Sequence, residues 1–136
     1  MKNKIVIYTD GGARGNPGHA AIGVVIGDKE YGEYIGKTTN NIAEYSAVIF
    51  GLKKAKHLFG KDDCAVAEVE IRADSELVVR RMEGAYKIKE PELQKLFIEI
   101  WNLKTEFKKV SFVHIPREEN SKADKLVNKA LDERLF

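Results

Sequence analysis

Cysteine, proline and long apolar runs are the scarce features of this chain. Its three prolines are too few for a Pro-rich linker, and no internal repeat or low-complexity segment interrupts the 136 residues. The lone Cys64 cannot close an intramolecular disulfide and lacks the companions of a zinc site. It reads as an incidental thiol in a loop beside Asp62 and Asp63. No apolar stretch approaches the roughly 20 residues that span a bilayer, and the N-terminus lacks a signal-peptide apolar region. A reducing, cytoplasmic setting with no membrane partner is therefore expected. A dominant charge is missing too: 23 Lys and Arg against 21 Asp and Glu leave a net +2. Affinity for a polyanion must come from local clustering.

What remains is 43% hydrophobic and 32% charged, the balance of a soluble globular protein. The length suits one domain, residues 1–136, able to bury roughly two-thirds of its unfolded surface. Lys4–Asp10 reads as a buried strand, followed by a glycine-rich loop over Gly11–Gly18. Ala20–Ile26 and Glu30–Lys37 read as a hairpin around Gly27-Asp28-Lys29. Asn41 is a candidate cap for a helix to Lys56, with Ile42, Tyr45, Val48, Ile49, Leu52 and Ala55 on one face. Gly60–Ala65 then reads as a loop, Val66–Ala73 as a fourth strand and Ser75–Met82 as a short helix. After a connector over Glu83–Glu90, Pro91 opens another helix, carrying Leu93, Leu96, Phe97, Ile100 and Leu103. Val110–Ile115 is the fifth strand, and Asn120 is placed to cap a last helix.

This order predicts an α/β fold with a mixed five-stranded sheet. Strands one to three form an antiparallel meander. Strands four and five, each reached through helix, run parallel to strand one, and helices cover both faces.

Four carboxylates occupy element ends in this scheme. Asp10 closes strand one, Asp74 closes strand four, and Glu44 and Asp124 lie near the starts of two helices. Each has an ordinary structural use. Asp10-Gly11 suits a turn, Glu44 suits the N3 place of a capping box from Asn41, Asp74 suits a cap, and Asp124 suits a helix dipole. The topology nevertheless brings Asp10 and Asp74 side by side at one end of the sheet, with the other two in reach. Clustered like charges raise one another's pKa unless a cation neutralises them. Several carboxylates could hold two ions at about 3.5–4 Å, an arrangement suited to in-line phosphoryl displacement.

The residues around these acids carry a resemblance. Tyr8-Thr9-Asp10-Gly11-Gly12 with Gly15-Asn16-Pro17-Gly18 is similar to the opening motif of ribonuclease H type 1. So are Thr39-Asn40-Asn41-Ile42-Ala43-Glu44-Tyr45, Asp74-Ser75, and Asn120-Ser121-Lys122-Ala123-Asp124, all in the family's order. The resemblance implies endonucleolytic cleavage of the RNA strand of an RNA–DNA hybrid, leaving 3′-hydroxyl and 5′-phosphate ends; a monomer is the default expectation. Activity on double-stranded RNA is a further possibility within the family. It also implies two Mg²⁺ ions, replaceable by Mn²⁺. Asp10 would bridge them, Asp124 would help hold the ion that activates water, and Glu44 and Asp74 would serve the ion at the leaving oxygen. Gly11, Gly12 and Gly15 would let backbone approach a sugar–phosphate chain. Asn16 and Asn40 would read the hybrid's minor groove, and Thr39 with Asn40 would seat a DNA phosphate, with Ser75 also on the substrate side.

Two departures from the family pattern stand out. Glu83–Glu90 leaves no room for the basic helical protrusion of longer members, so a compact form with more salt-sensitive binding is expected. The loop before Asp124 reads Pro116-Arg117-Glu118-Glu119-Asn120, without the usual histidine; His114 falls on strand five. Arg117 or Glu119 is expected to take that loop's role in substrate positioning or product release. A phosphate-loop-like stretch over Gly32–Thr38 is one residue short between its glycines and lies within a strand, so it is discounted. Trp101 could stack on a base, although Trp is more often core. A binding module without catalysis would gain nothing from four repelling acids. Another nuclease of this fold, a resolvase or exonuclease, would not need the Asn16 and Thr39-Asn40-Asn41 blocks.

Overall fold

A computed structural model describes residues 3–134. The strands are β1 (Lys4–Gly15), β2 (Gly18–Ile26), β3 (Lys29–Thr38), β4 (Glu68–Ala73) and β5 (Lys109–His114). The helices are α1 (Asn40–Phe59), α2 (Lys61–Ala65), α3 (Glu76–Met82), α4 (Pro91–Lys104) and α5 (Ser121–Arg134), the last preceded by a 3-10 turn over Arg117–Asn120. The sheet order is β3-β2-β1-β4-β5, with β1 parallel to β4, β4 parallel to β5, and the remaining pairs antiparallel. The expected mixed sheet is thus the observed one.

Helix α1 buries Tyr45, Val48, Ile49, Leu52 and Ala55, the predicted face, against β1 and β2, and α4 packs on α1. On the other side, α5 lies across β2 and β3 and buries Ala123, Val127 and Leu131. Ile7, Val24 and Ile71, carried on the three central strands, are wholly buried. No described helix is long and apolar enough to cross a membrane. Cys64 is a buried free thiol in α2, where a loop was expected. His114 ends β5, as expected, and residues 83–90 join α3 to α4 without a helix. Trp101 is 58% exposed and stacks on Phe97, so it is not core.

Three boundary corrections bear on the site. The glycine-rich segment is not a loop: β1 continues to Gly15, pairing Gly11 with Ile22 and Gly12 with Ala21. Backbone pairing needs no side chain, so glycines sustain a strand that lacks an apolar signature. Helix α1 is capped by Thr39, whose Oγ1 accepts from Ile42 N–H at 3.2 Å; Asn41 lies inside the helix. Asn120 ends the 3-10 turn, and its side chain reaches the Thr9 carbonyl on β1 instead of capping α5.

Candidate active site

These corrections remove the ordinary uses of three of the acids. Asp10 sits within a strand, not in a turn. Glu44 is the fifth residue of α1, outside any capping box with Asn41. The α3 cap is Ser75, whose Oγ accepts from Val78 N–H at 3.3 Å, and Asp74 is left free of that duty. Asp124 remains in the first turn of α5. All four are half-buried. They border a common cavity of about 350 Å³ between the β1 end and α5, together with Gly11, Gly12, Asn40 and Arg117.

Two glycines bring the acids together. A Cβ on Gly11 would lie 2.3 Å from the carbonyl carbon and oxygen of Ala43 and 2.6 Å from Glu44 N. A Cβ on Gly23 would lie 2.1 Å from the Ala123 oxygen. Gly23 is the cross-strand partner of Asp10. The peptides entering Glu44 and Asp124 thus press onto glycines immediately next to Asp10, one from each face of the sheet. Gly11 has an internal use in addition to the one expected of it. Gly23 was not singled out from the sequence, because a lone glycine in an apolar strand carries no local sign of what will cross it. Gly12 is looser, its nearest contact being Val127 Cγ1 at 3.5 Å.

Electrostatics mark the cluster. Burial, with added repulsion from Asp74 and Asp124 and less from Glu44, pushes the Asp10 carboxyl up to about 8, against a hydrogen bond from Gly11. Burial and then the Asp74 charge raise Glu44 to about 7, while the Ser75 hydroxyl opposes them. Among the described residues, no three Asp, Glu, His or Cys side chains form a finished metal cage. The acids share the cavity without closing on one point.

Asn16 and Asn40 clip the β1–β2 turn to α1. Asn16 Oδ1 accepts from Asn40 N–H at 3.0 Å, and Asn40 Oδ1 accepts from Ala13 N–H at 2.7 Å. The amide donors of both side chains are not used in these bonds, and both residues are exposed. Arg14, which the sequence reading passed over, also lines the cavity and pairs with Asp132 of α5 at 2.7 Å. Glu119 lies on the 3-10 turn, outside the cavity lining. A larger cavity of about 690 Å³ near Ile5, Ile26 and Leu58 lies at the other end of β1, away from the acids.

Comparison with known proteins gives a consistent relationship. Residues 8–130 match the family described as reverse transcriptase-like. The structure of LC11-RNase H1, a protein isolated from compost and solved in complex with an RNA/DNA hybrid, superposes with a TM-score of 0.91. It is 52% identical, over 97% of this chain and 99% of that one. Ribonuclease HI of Halobacterium salinarum is 42% identical over 96% of this chain and 65% of its own length. The bifunctional protein Rv2228c of Mycobacterium tuberculosis is 38% identical over 95% of this chain. This chain spans only 36% of that larger protein. By sequence along nearly its whole length and by superposition alike, the chain belongs to the ribonuclease H1 family.

Proposed function

We propose that this chain, as one catalytic domain over 1–136, is an endonuclease that hydrolyses the RNA strand of RNA–DNA hybrids and leaves 3′-hydroxyl and 5′-phosphate ends. The observation that carries the proposal is the convergence of Asp10 on β1, Glu44 on α1, Asp74 just past β4 and Asp124 on α5 on one cavity. Their chemistry fits a divalent metal: an all-carboxylate donor set suits hard cations such as Mg²⁺, with Mn²⁺ able to replace it. Burial first, then repulsion from Asp74 and Asp124, raises the Asp10 carboxyl to about 8, and a bound cation would favour its charged form. Asp10 would be shared between two ions, with Asp124 on one side and Glu44 and Asp74 on the other. Bound there, the metals would supply an activated water and Lewis-acid stabilisation of the leaving 3′-oxygen.

The chain's own groups would do the rest. Gly11 and Gly23 let the backbone at Glu44 and Ala123 approach on either side of Asp10, and the Ser75 hydroxyl favours the charged form of Glu44. Gly12 and the amide donors of Asn16 and Asn40 are available to a backbone and to minor-groove groups, including the ribose 2′-hydroxyl. Thr39, at the positive end of α1, would help seat a DNA phosphate. Arg117, on the cavity rim, would position substrate or assist product release, with Glu119 as the alternative in the same turn. A relative solved with an RNA/DNA hybrid supports this choice of substrate. A monomeric, cytoplasmic enzyme belongs to the same reading.

The test uses a hybrid labelled separately on its RNA and DNA strands, with Mg²⁺ and then Mn²⁺, and a parallel double-stranded RNA. Cleavage confined to the RNA strand with 5′-phosphate products is expected. Cutting of the DNA strand, or 3′-phosphate products, would contradict the proposal. The double-stranded RNA arm measures whether the substrate range extends beyond hybrids.

A further inference from the structure

We infer that Asn120 is a positioning residue that sets the separation of Asp10 and Asp124; this rests on reading those two acids as a shared metal site. Thr9 and Asn120 are the buried polar residues among those described, at 2% and 1% exposure. They are 111 positions apart, and Asn120 Nδ2 donates to the Thr9 carbonyl at 2.9 Å. That carbonyl belongs to the peptide whose nitrogen is Asp10's own. The bond therefore grips the backbone from which the Asp10 side chain projects. At its other end, Asn120 closes the 3-10 turn, and Asp124 stands four residues on, about one turn into α5.

A capping role does not explain this residue. Asn120 Oδ1, the atom a cap would use, is buried and has no hydrogen-bond partner. The unpaired acceptor lowers stability, while the donor on the same amide satisfies a Thr9 carbonyl that an apolar side chain would leave unpaired. Through that bond the amide also fixes a distance between the Thr9–Asp10 peptide and the start of α5. Gly23, against Ala123, guides the approach of the helix, and Asn120 sets where it stops. The substrate-side clip of Asn16 and Asn40 is separate, so the effect should fall on metal and turnover and spare hybrid affinity.

The experiment titrates Mg²⁺ into wild type and Asn120→Ala and follows two readouts: the Mg²⁺-dependent rise in melting temperature, and kcat and KM on a labelled hybrid. The Mg²⁺ midpoint should rise about ten-fold in both readouts, the loss typical when a group that orients a metal ligand is removed. At fixed subsaturating Mg²⁺, kcat should fall while KM stays unchanged. Ile100→Ala, a core truncation on α4, is the destabilised control and should melt lower with an unchanged Mg²⁺ midpoint. If Asn120→Ala does not fold, Asn120→Ser, which keeps a shorter donor, is titrated instead and should show a midpoint raised above that of wild type. An unchanged midpoint in the variant, or an equal shift in Ile100→Ala, overturns the inference. A wild type that neither responds to Mg²⁺ nor cleaves overturns the metal-site reading instead.

Discussion

Gly11→Ala is the most exacting perturbation of the site, because the added atom has nowhere to go. Its Cβ would meet the Ala43 carbonyl at 2.3 Å, where ordinary contact begins at 3.4 Å. The obstructing atoms are backbone on both sides, so no side chain can rotate away. Helix α1 and β1 must part by about 1.1 Å, the shortfall against that contact distance. Overpacking of this kind costs about 1–3 kcal/mol. For a domain of this size each kcal/mol lowers Tm by roughly 3–5 °C, so a fall of about 3–15 °C is expected. The same displacement carries Glu44 away from Asp10, and an error of about 1 Å can reduce turnover roughly 100-fold. Calorimetry and single-turnover cleavage of a labelled hybrid measure the two effects. Gly12→Ala is the control for stability, since its new Cβ would sit 3.5 Å from Val127 Cγ1 in ordinary contact. A Gly11→Ala protein that melts like Gly12→Ala and turns over like wild type would refute the close-approach argument.

The remaining expectations concern charge and the cavity rim. Asp10 and Glu44 titrate at about 8 and about 7 in the folded state, above their ordinary values of 3.8 and 4.5. Their folded forms hold protons more tightly, so their contribution to stability is full below about pH 4 and is lost as pH rises through 7 to 8. In EDTA, Asp10→Asn should therefore melt above wild type at pH 8.5 and by a smaller margin at pH 5.5. A pH-independent margin would contradict the assigned charge cluster. Asn40→Ala should raise KM for the hybrid by about ten-fold, from lost polar contacts worth about 1.4 kcal/mol, with kcat little changed. Steady-state kinetics at saturating Mg²⁺ checks this, and a lowered kcat at constant KM would sink it. Arg117→Ala should lower kcat, as measured in multiple-turnover assays; unchanged turnover would remove Arg117 from the mechanism.

Much of this arrangement was legible in the chain because its long elements carry strong periodic patterns. The α1 face and the parallel placement of β4 and β5 followed from apolar spacing and helical crossovers. Segments without side-chain signatures were harder. Gly11 to Gly15 looked like a loop because strand pairing through backbone leaves no apolar alternation. The helix start moved from Asn41 to Thr39 because adjacent Thr, Asn and Asn offer three competing caps, and only one hydroxyl reaches Ile42 N–H. Gly23 was invisible for another reason. Its importance arises from pairing with Asp10 across the sheet while α5 crosses above it, and both relations are long-range. The same holds for Asn120, whose partner is 111 residues away.

We propose that four acids form one metal-dependent catalytic site, with Asp10 at its centre. The most direct measurement compares wild type and Asp10→Asn on a hybrid carrying a labelled RNA strand, with and without Mg²⁺. Cleavage only by wild type with metal is expected, while the variant remains folded and binds the hybrid. Equal cleavage by both proteins, or wild-type cleavage undiminished in EDTA, would contradict it.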